Sequence, residues 1–153
     1  MNNIAHLTDS AGRPSNSQSD SDHVRRLARG GRPLSVLIVE DERLVGEFFA
    51  ESIEEYGGQV VGIAATPVDA FGLVVEHKPD VVVMDIRLED DHDGLRVADA
   101  MRILYQTPIV FCTGYGDAET VERIRQFGGD SPLLFKPVLE VELCEAILKA
   151  CGC

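Results

Sequence analysis

The sequence has no tryptophan, only four cysteines, and few basic residues: 14 Lys and Arg stand against 26 Asp and Glu, for a formal charge of −12. A field of that sign repels phosphate backbones and anionic lipid, so binding of nucleic acid or a membrane surface by this chain alone is disfavoured. No apolar run approaches the roughly 20 residues that span a bilayer. The amino terminus also lacks a basic segment followed by an apolar core, so neither insertion nor export is signalled and the cytoplasm is the expected compartment. The cysteines, Cys112, Cys144, Cys151 and Cys153, have no paired metal-ligand spacing, which argues against a zinc site or a disulfide framework. Cys151-Gly152-Cys153 is read as incidental, with sensitivity to oxidation as the lesser alternative.

What is present is ordinary globular composition, 44% apolar and 26% charged over 153 residues, enough for one domain and a tail. Residues 1–33 hold five serines between Ser10 and Ser21, no Glu, and five Arg. They bury too little apolar surface to offset their ordering entropy and are expected to be a flexible polar arm. Within it, Val24 to Arg29 is expected to form at most a helical turn before Gly30-Gly31-Arg32-Pro33 breaks it. The negative charge therefore belongs to the folded unit, expected over 34–153.

From Ser35 onward, short apolar runs alternate with helical periods. Val36-Leu37-Ile38-Val39 is a strand covered on both faces that ends abruptly in Glu40-Asp41-Glu42. Leu44, Val45, Phe48, Phe49, Ser52 and Ile53 then recur at helical spacing until Gly57-Gly58. Val60 to Ala65 is a second strand, and Thr66-Pro67 a helix start with a capping hydroxyl and a proline in the first turn. Val81 to Met84 ends in Asp85, Pro108 to Cys112 ends in Thr113, and Leu133-Leu134-Phe135 ends in Lys136, each followed by a helical pattern. Five strand-then-helix units call for a doubly wound parallel sheet with helices on both faces.

In such sheets the functional crevice lies at the carboxyl ends of the strands. Those ends gather Glu40, Asp41, Asp85, Thr113 and Lys136. Three converging carboxylates repel one another and call for a cation, and a hard divalent ion such as Mg²⁺ fits oxygen ligands of this kind. A lysine ammonium and a threonine hydroxyl can serve the oxygens of a phosphoryl group, and Asp85 is the candidate nucleophile that would form an acyl phosphate. Each acid alone reads as a helix cap or turn; it is their coincidence at successive strand ends that points to chemistry.

With these residues in place, the chain from 35 to about 150 resembles a receiver domain of the two-component response-regulator family. The matching stretches are Val36 to Glu42, Asp80 to Leu88, and Leu134-Phe135-Lys136-Pro137. The resemblance implies a flavodoxin-like strand order 2-1-3-4-5, Asp85 as phosphoacceptor, and Mg²⁺ held by Glu40, Asp41, Asp85 and the backbone carbonyl of Arg87. It further implies Lys136 as the phosphate-contacting lysine and Thr113, Gly114, Tyr115 and the Leu133 position as the switch. Pro108-Ile109-Val110-Phe111-Cys112-Thr113-Gly114-Tyr115 is similar to the Pro-Phe-x-Phe-Ala-Thr-Gly-Tyr signature of stand-alone alphaproteobacterial receivers, whose kinases tend to be of the HWE or a related histidine-kinase type.

Several positions depart from the family pattern. Glu40 replaces the usual Asp, and its extra methylene is expected to carry the carboxylate outward, toward a water-mediated contact with the ion. Leu133 stands where many receivers carry an inward-swinging aromatic residue. The stretch from Asp85 to Gly94 spans one residue more than the commonest pattern, and Glu89 to Asp93 within it is read as a solvated acidic loop. Arg87 and Tyr115 are expected to flank the water path to the acyl phosphate.

The resemblance implies a single-domain response regulator that accepts a phosphoryl group from a histidine kinase or phosphotransfer protein and acts on a downstream protein, as a monomer or a phosphorylation-dependent dimer. Kinase docking is expected on the first helix around Leu44, Val45 and Phe48. With no effector expected after the last helix, output is expected to pass through another protein. The alternatives are a phosphorylation-independent scaffold and a metal-dependent phosphohydrolase. The latter, as an aspartyl-phosphate hydrolase of the haloacid-dehalogenase type, would want a second Asp two residues after the nucleophile, where Arg87 stands.

Overall fold

A computed structural model describes residues 26–88, 94–114, 116 and 118–153. Tyr115, the Glu89 to Asp93 loop and residues 1–25 lie outside the described residues. The elements, in order, are β1 (Ala28–Arg29), β2 (Arg32–Pro33), β3 (Ser35–Val39), α1 (Arg43–Glu55), β4 (Gln59–Ala64), α2 (Pro67–His77), β5 (Val81–Asp85), α3 (Gly94–Tyr105), β6 (Ile109–Thr113), α4 (Ala118–Gly128), β7 (Leu133–Phe135) and α5 (Glu140–Ala150).

The last five strands form one parallel sheet in the order β4-β3-β5-β6-β7. Counted among themselves they run 2-1-3-4-5, the doubly wound flavodoxin-like topology expected from the alternation of strands and helices. Their side chains alternate between two cores. Val36, Ile38, Val81, Val83 and Val110 pack with Phe49 and Ile53 of α1 and Leu143, Ile147 and Leu148 of α5. Leu37, Val39, Val82, Met84 and Phe111 pack with Ala70 and Val74 of α2, Leu95, Ala98 and Met101 of α3, and Ile124 of α4.

The helix punctuation follows local chemistry. Thr66 Oγ1 accepts the Asp69 amide at 3.2 Å and starts α2. Gly57, at φ +84°, carries the chain out of α1 in the left-handed region that favours glycine. In α1, Gly46, Phe49, Ser52 and Ile53 face inward, while Leu44 and Phe48 stay exposed and Val45 is half-buried.

The amino-terminal boundary differs from the expectation. Instead of a helical turn, Ala28 to Pro33 form an antiparallel hairpin paired Ala28 with Pro33 and Arg29 with Arg32, turned by Gly30 and Gly31 at positive φ. Leu27 is fully buried in the α1/α5 core, and its amide donates to Tyr56 O at 2.9 Å. The packed unit thus reaches back at least to Leu27, because a buried leucine and its amide bond to Tyr56 tie the hairpin down, while Leu34 N to Leu27 O closes the base of the hairpin itself. The hairpin also closes on the amino end of the sheet. Arg32 donates to both carboxylate oxygens of Asp80, at 2.8 and 2.9 Å, and Asp80 accepts from Ser35 N and Oγ at 2.7 and 2.9 Å. The Arg32 hydrogen bond is the main cause holding the Asp80 pKa down at about 2.

Candidate functional site

At the opposite end of the sheet, the strands deliver the expected side chains to one crevice. Glu40 follows β3, Asp85 is the last residue of β5, Thr113 the last of β6, and Lys136 follows β7. Parallel pairing aligns these ends: Val39 stands opposite Met84, Asp85 opposite Cys112, and Thr113 opposite Phe135. Backbone hydrogen bonds extend the alignment past the strands, from Glu40 N to Ala64 O at 2.9 Å and from Lys136 N to Thr113 O at 2.8 Å.

Lys136 joins the site electrostatically. Its Nζ donates to Glu40 Oε2 at 2.7 Å and to Asp85 Oδ2 at 3.1 Å. The remaining oxygens are held by the backbone, with Glu42 N on Glu40 Oε1 and Arg87 N on Asp85 Oδ1, each at 3.1 Å. Glu40 and Asp85 are 2% and 6% exposed, so both carboxylates are taken out of water. Burial is the main force on Glu40 and drives its pKa up to about 7 against the Lys136 hydrogen bond, with the charge of Asp85 adding to the rise. Burial opposes the charge on Lys136, but the hydrogen bonds and charges of the two acids outweigh it and raise its pKa.

One carboxylate oxygen from each of Glu40, Asp41 and Asp85 lies within 4.8 Å of the other two. This is a hard, all-oxygen donor set, and it fits a small divalent cation that keeps waters in its other positions. The expected outward displacement of Glu40 is not what the structure shows. The longer side chain folds inward, where Lys136 and the Glu42 amide engage its two oxygens.

Thr113 is buried and borders the crevice, while Gly114 follows it at the surface. Leu133 is half-buried against the α2/α3/α4 core. Tyr115, the remaining expected switch residue, falls outside the described residues. Cys112 lies beneath the site, fully buried, and burial pushes its thiol up to about 12, which leaves it inert beside Asp85.

One residue matters more than its sequence suggested. A Cβ at Gly94 would collide with the Asp85 carbonyl oxygen and fall 2.9 Å from Ile86 Cα, and the Gly94 amide donates to Ile86 O at 2.9 Å. Glycine there lets the start of α3 press against the backbone that carries Asp85. Its position in a loop of unusual length was visible in the sequence, but the close approach is a tertiary fact.

Comparison with known proteins agrees with this geometry. Residues 36–148 match the family model described as the response regulator receiver domain. The chain is 36% identical over 115 residues to the transcriptional regulatory protein PdtaR of Mycobacterium tuberculosis, covering 75% of this chain but 55% of that protein. The chain thus spans about half the length of that relative. It is 32% identical over 123 residues to the polar-differentiation response regulator DivK of Brucella anthropi, covering 78% of this chain and 98% of that one. Among solved structures, the signal receiver domain of a modulated diguanylate cyclase from Desulfovibrio desulfuricans superimposes with a TM-score of 0.72 at 30% identity, covering 78% of this chain and 94% of that one. A fold, a strand-end acidic cluster and a match over most of the chain converge on one conclusion: this protein belongs to the response regulator receiver family.

Proposed function

We propose that the chain is a phosphorylation-switched signalling receiver with Asp85 as its phosphoacceptor. The observation that carries this reading is the Lys136 ammonium hydrogen-bonded to both Glu40 and Asp85 beside three clustered carboxylates. A phosphohistidine on a histidine kinase or phosphotransfer protein would be the donor. The Asp85 carboxylate attacks phosphorus, the P–N bond breaks, and the imidazole keeps the electron pair and takes a proton. Lys136 is already within reach of Asp85 and supplies charge to the phosphoryl oxygens. Glu40, Asp41, Asp85 and the Arg87 carbonyl would hold Mg²⁺, which would supply further charge neutralisation when bound. Thr113 and Gly114, with Tyr115, would then reorganise toward the phosphoryl group and change the neighbouring surface for a downstream protein. The protein would act by its own modification and not by turnover of a separate substrate.

Exposed Leu44 and Phe48 on α1 support that helix as the kinase-docking face. The match of Pro108 to Tyr115 to the stand-alone alphaproteobacterial signature favours a kinase of the HWE or a related type. Among the described residues, no helix is long and apolar enough to cross a membrane.

The test is intact mass spectrometry after incubation with acetyl phosphate and Mg²⁺. The expected result is one phosphoryl adduct on the wild type, absent in Asp85→Asn and absent after chelation of the metal. A wild type that stays unmodified would favour a phosphorylation-independent scaffold. Continuous release of phosphate from small phosphorylated molecules would favour a hydrolase.

A further inference from the structure

The carboxyl-terminal turn carries chemistry that the phosphoacceptor site does not use. After α5, the Cys151 amide donates to Ile147 O at 3.0 Å, Gly152 turns the chain at φ +70°, and the Cys153 amide returns to Leu148 O at 2.9 Å. This turn folds Cys153 back over Cys151: the Cys153 Sγ lies 3.8 Å from the Cys151 carbonyl oxygen. The two thiols have different surroundings. Cys151 is 8% exposed, with Sγ at 3.8 Å from Asp80 O, and burial pushes its pKa up to about 11. Cys153 is half-exposed, and Arg29 Nε stands 3.5 Å from its sulfur. The same guanidinium donates through its other nitrogen to the Cys151 carbonyl, so one arginine of the hairpin spans both cysteines.

We propose that Cys151 and Cys153 form a peroxide-responsive thiol pair in which Cys153 reacts, Cys151 resolves, and Arg29 positions and charge-stabilises the reacting sulfur. An accessible sulfur with a guanidinium nitrogen 3.5 Å away can be reached by peroxide and has a fixed cation beside it, whereas the buried Cys151 thiol is shielded until a partner sulfur arrives. The Cys153 thiolate attacks a peroxide oxygen, the O–O bond breaks and hydroxide leaves, giving a sulfenic acid. The Cys151 sulfur then attacks the Cys153 sulfur. An S–S bond forms, the S–O bond breaks and water leaves with the Cys151 proton. Overall, two thiols are oxidised by two electrons and one peroxide is reduced to two waters; a dithiol reductant restores the pair.

Closing the disulfide draws Cys151 Sγ from Asp80 and reorients the carbonyl that anchors Arg29. The pair thereby couples to the β1/β2 hairpin and to the start of β5, the end opposite Asp85. The inference does not depend on phosphoryl transfer.

The test treats the reduced full chain with hydrogen peroxide, blocks remaining thiols with N-ethylmaleimide and maps tryptic peptides. Cleavage after Lys149 separates Cys151 and Cys153 from Cys144. The expected product is a 150–153 peptide lighter by two hydrogens, unalkylated and restored by dithiothreitol, with Cys112 and Cys144 still alkylated after unfolding. Cys151→Ser should stop at a sulfenic acid on Cys153 trapped by dimedone, and Cys153→Ser should not react at this turn. Arg29 is exposed, so Arg29→Ala should keep its circular dichroism spectrum while the oxidation rate falls by about threefold to tenfold. Arg29→Lys should retain part of the rate. Hydrogen exchange at Ala28, Arg29 and Arg32 should quicken on oxidation. Overturning results are two thiols that remain alkylatable, oxidation of Cys144 at the same rate, a disulfide-linked dimer through Cys153 in place of the internal bond, or an Arg29→Ala rate equal to wild type.

Discussion

Replacing Lys136 by methionine isolates what holds two buried carboxylates together. The substitution keeps most of the side-chain volume and removes the ammonium that donates to Glu40 at 2.7 Å and to Asp85 at 3.1 Å. The acids then face each other with oxygens no more than 4.8 Å apart. At an effective dielectric constant of about 20 their repulsion is ~3.5 kcal/mol or more. Glu40, whose pKa already lies at about 7 with the lysine in place, answers by holding a proton further into the alkaline range.

The consequence for stability has a definite sign. A carboxyl whose folded pKa is raised binds more protons in the native state than in the unfolded chain. Its contribution is favourable at low pH and is lost as pH rises from the unfolded pKa through the folded one. For the wild type that window runs from the ordinary value of 4.5 to about 7. In Lys136→Met it extends upward, and between roughly pH 6 and pH 9 the variant should lose about 2 kcal/mol more than the wild type. Urea unfolding at both pH values in the presence of a chelator measures this. The infrared carbonyl band of a protonated carboxylic acid, removed in Lys136→Met/Glu40→Gln, identifies the group. Parallel stability curves for variant and wild type, with no such band, would refute the shared-lysine account.

Four further changes probe the frame around the site. Asp80→Asn should cost about 2 kcal/mol at neutral pH, because the depressed pKa, about 2 against 3.8, gives stability that is present above the unfolded value and lost as pH falls toward 2. Arg32→Ala should cost less than Asp80→Asn, since that side chain is 58% exposed and its charge is screened by solvent, and urea midpoints at pH 7 and near pH 3 separate the two variants. Leu27→Ala should cost about 2–4 kcal/mol in urea unfolding if the packed unit includes the hairpin, and a change within about 0.5 kcal/mol would return the boundary to residue 34. Gly94→Ala should cost about 1–3 kcal/mol in thermal unfolding and slow the reaction of Asp85 with acetyl phosphate, because a Cβ there displaces the Asp85 backbone.

The sheet and its site were largely legible because parallel strands buried on both faces leave a signature one residue wide. Val39 to Glu40 and Met84 to Asp85 pass from a buried apolar run to a charge where the strand ends, the partly exposed edge strand β7 does the same from Phe135 to Lys136, and a parallel sheet brings all such points to one end. Helix ends were legible for a similarly local reason, since Thr66-Pro67 and Gly57 act within their own turns. The hairpin was not. A single leucine among arginines and glycines has no period, and Leu27 gains its burial from Tyr56 and Gly58, about 30 residues away in sequence.

The orientation of Glu40 shows what a strand-end reading leaves undetermined. β3 and β7 are separated in the sheet by β5 and β6, so the strands bearing Glu40 and Lys136 are three spacings apart, roughly 14 Å. Contact across that gap needs long side chains from both strands meeting over Asp85, and a glutamate with a lysine supplies them. Considered against its nearest neighbours alone, the extra methylene of Glu40 suggests a carboxylate pushed outward. Considered across the sheet, it lets the carboxylate meet the ammonium at 2.7 Å while Asp85 keeps a longer bond of 3.1 Å to the same nitrogen. Shortening the acid with Glu40→Asp should therefore shift Lys136 toward Asp85 and weaken the β3 to β7 bridge, which a double-mutant cycle between positions 40 and 136 would register as a reduced coupling energy. An undiminished coupling would mean that the bridge does not depend on the length of the glutamate.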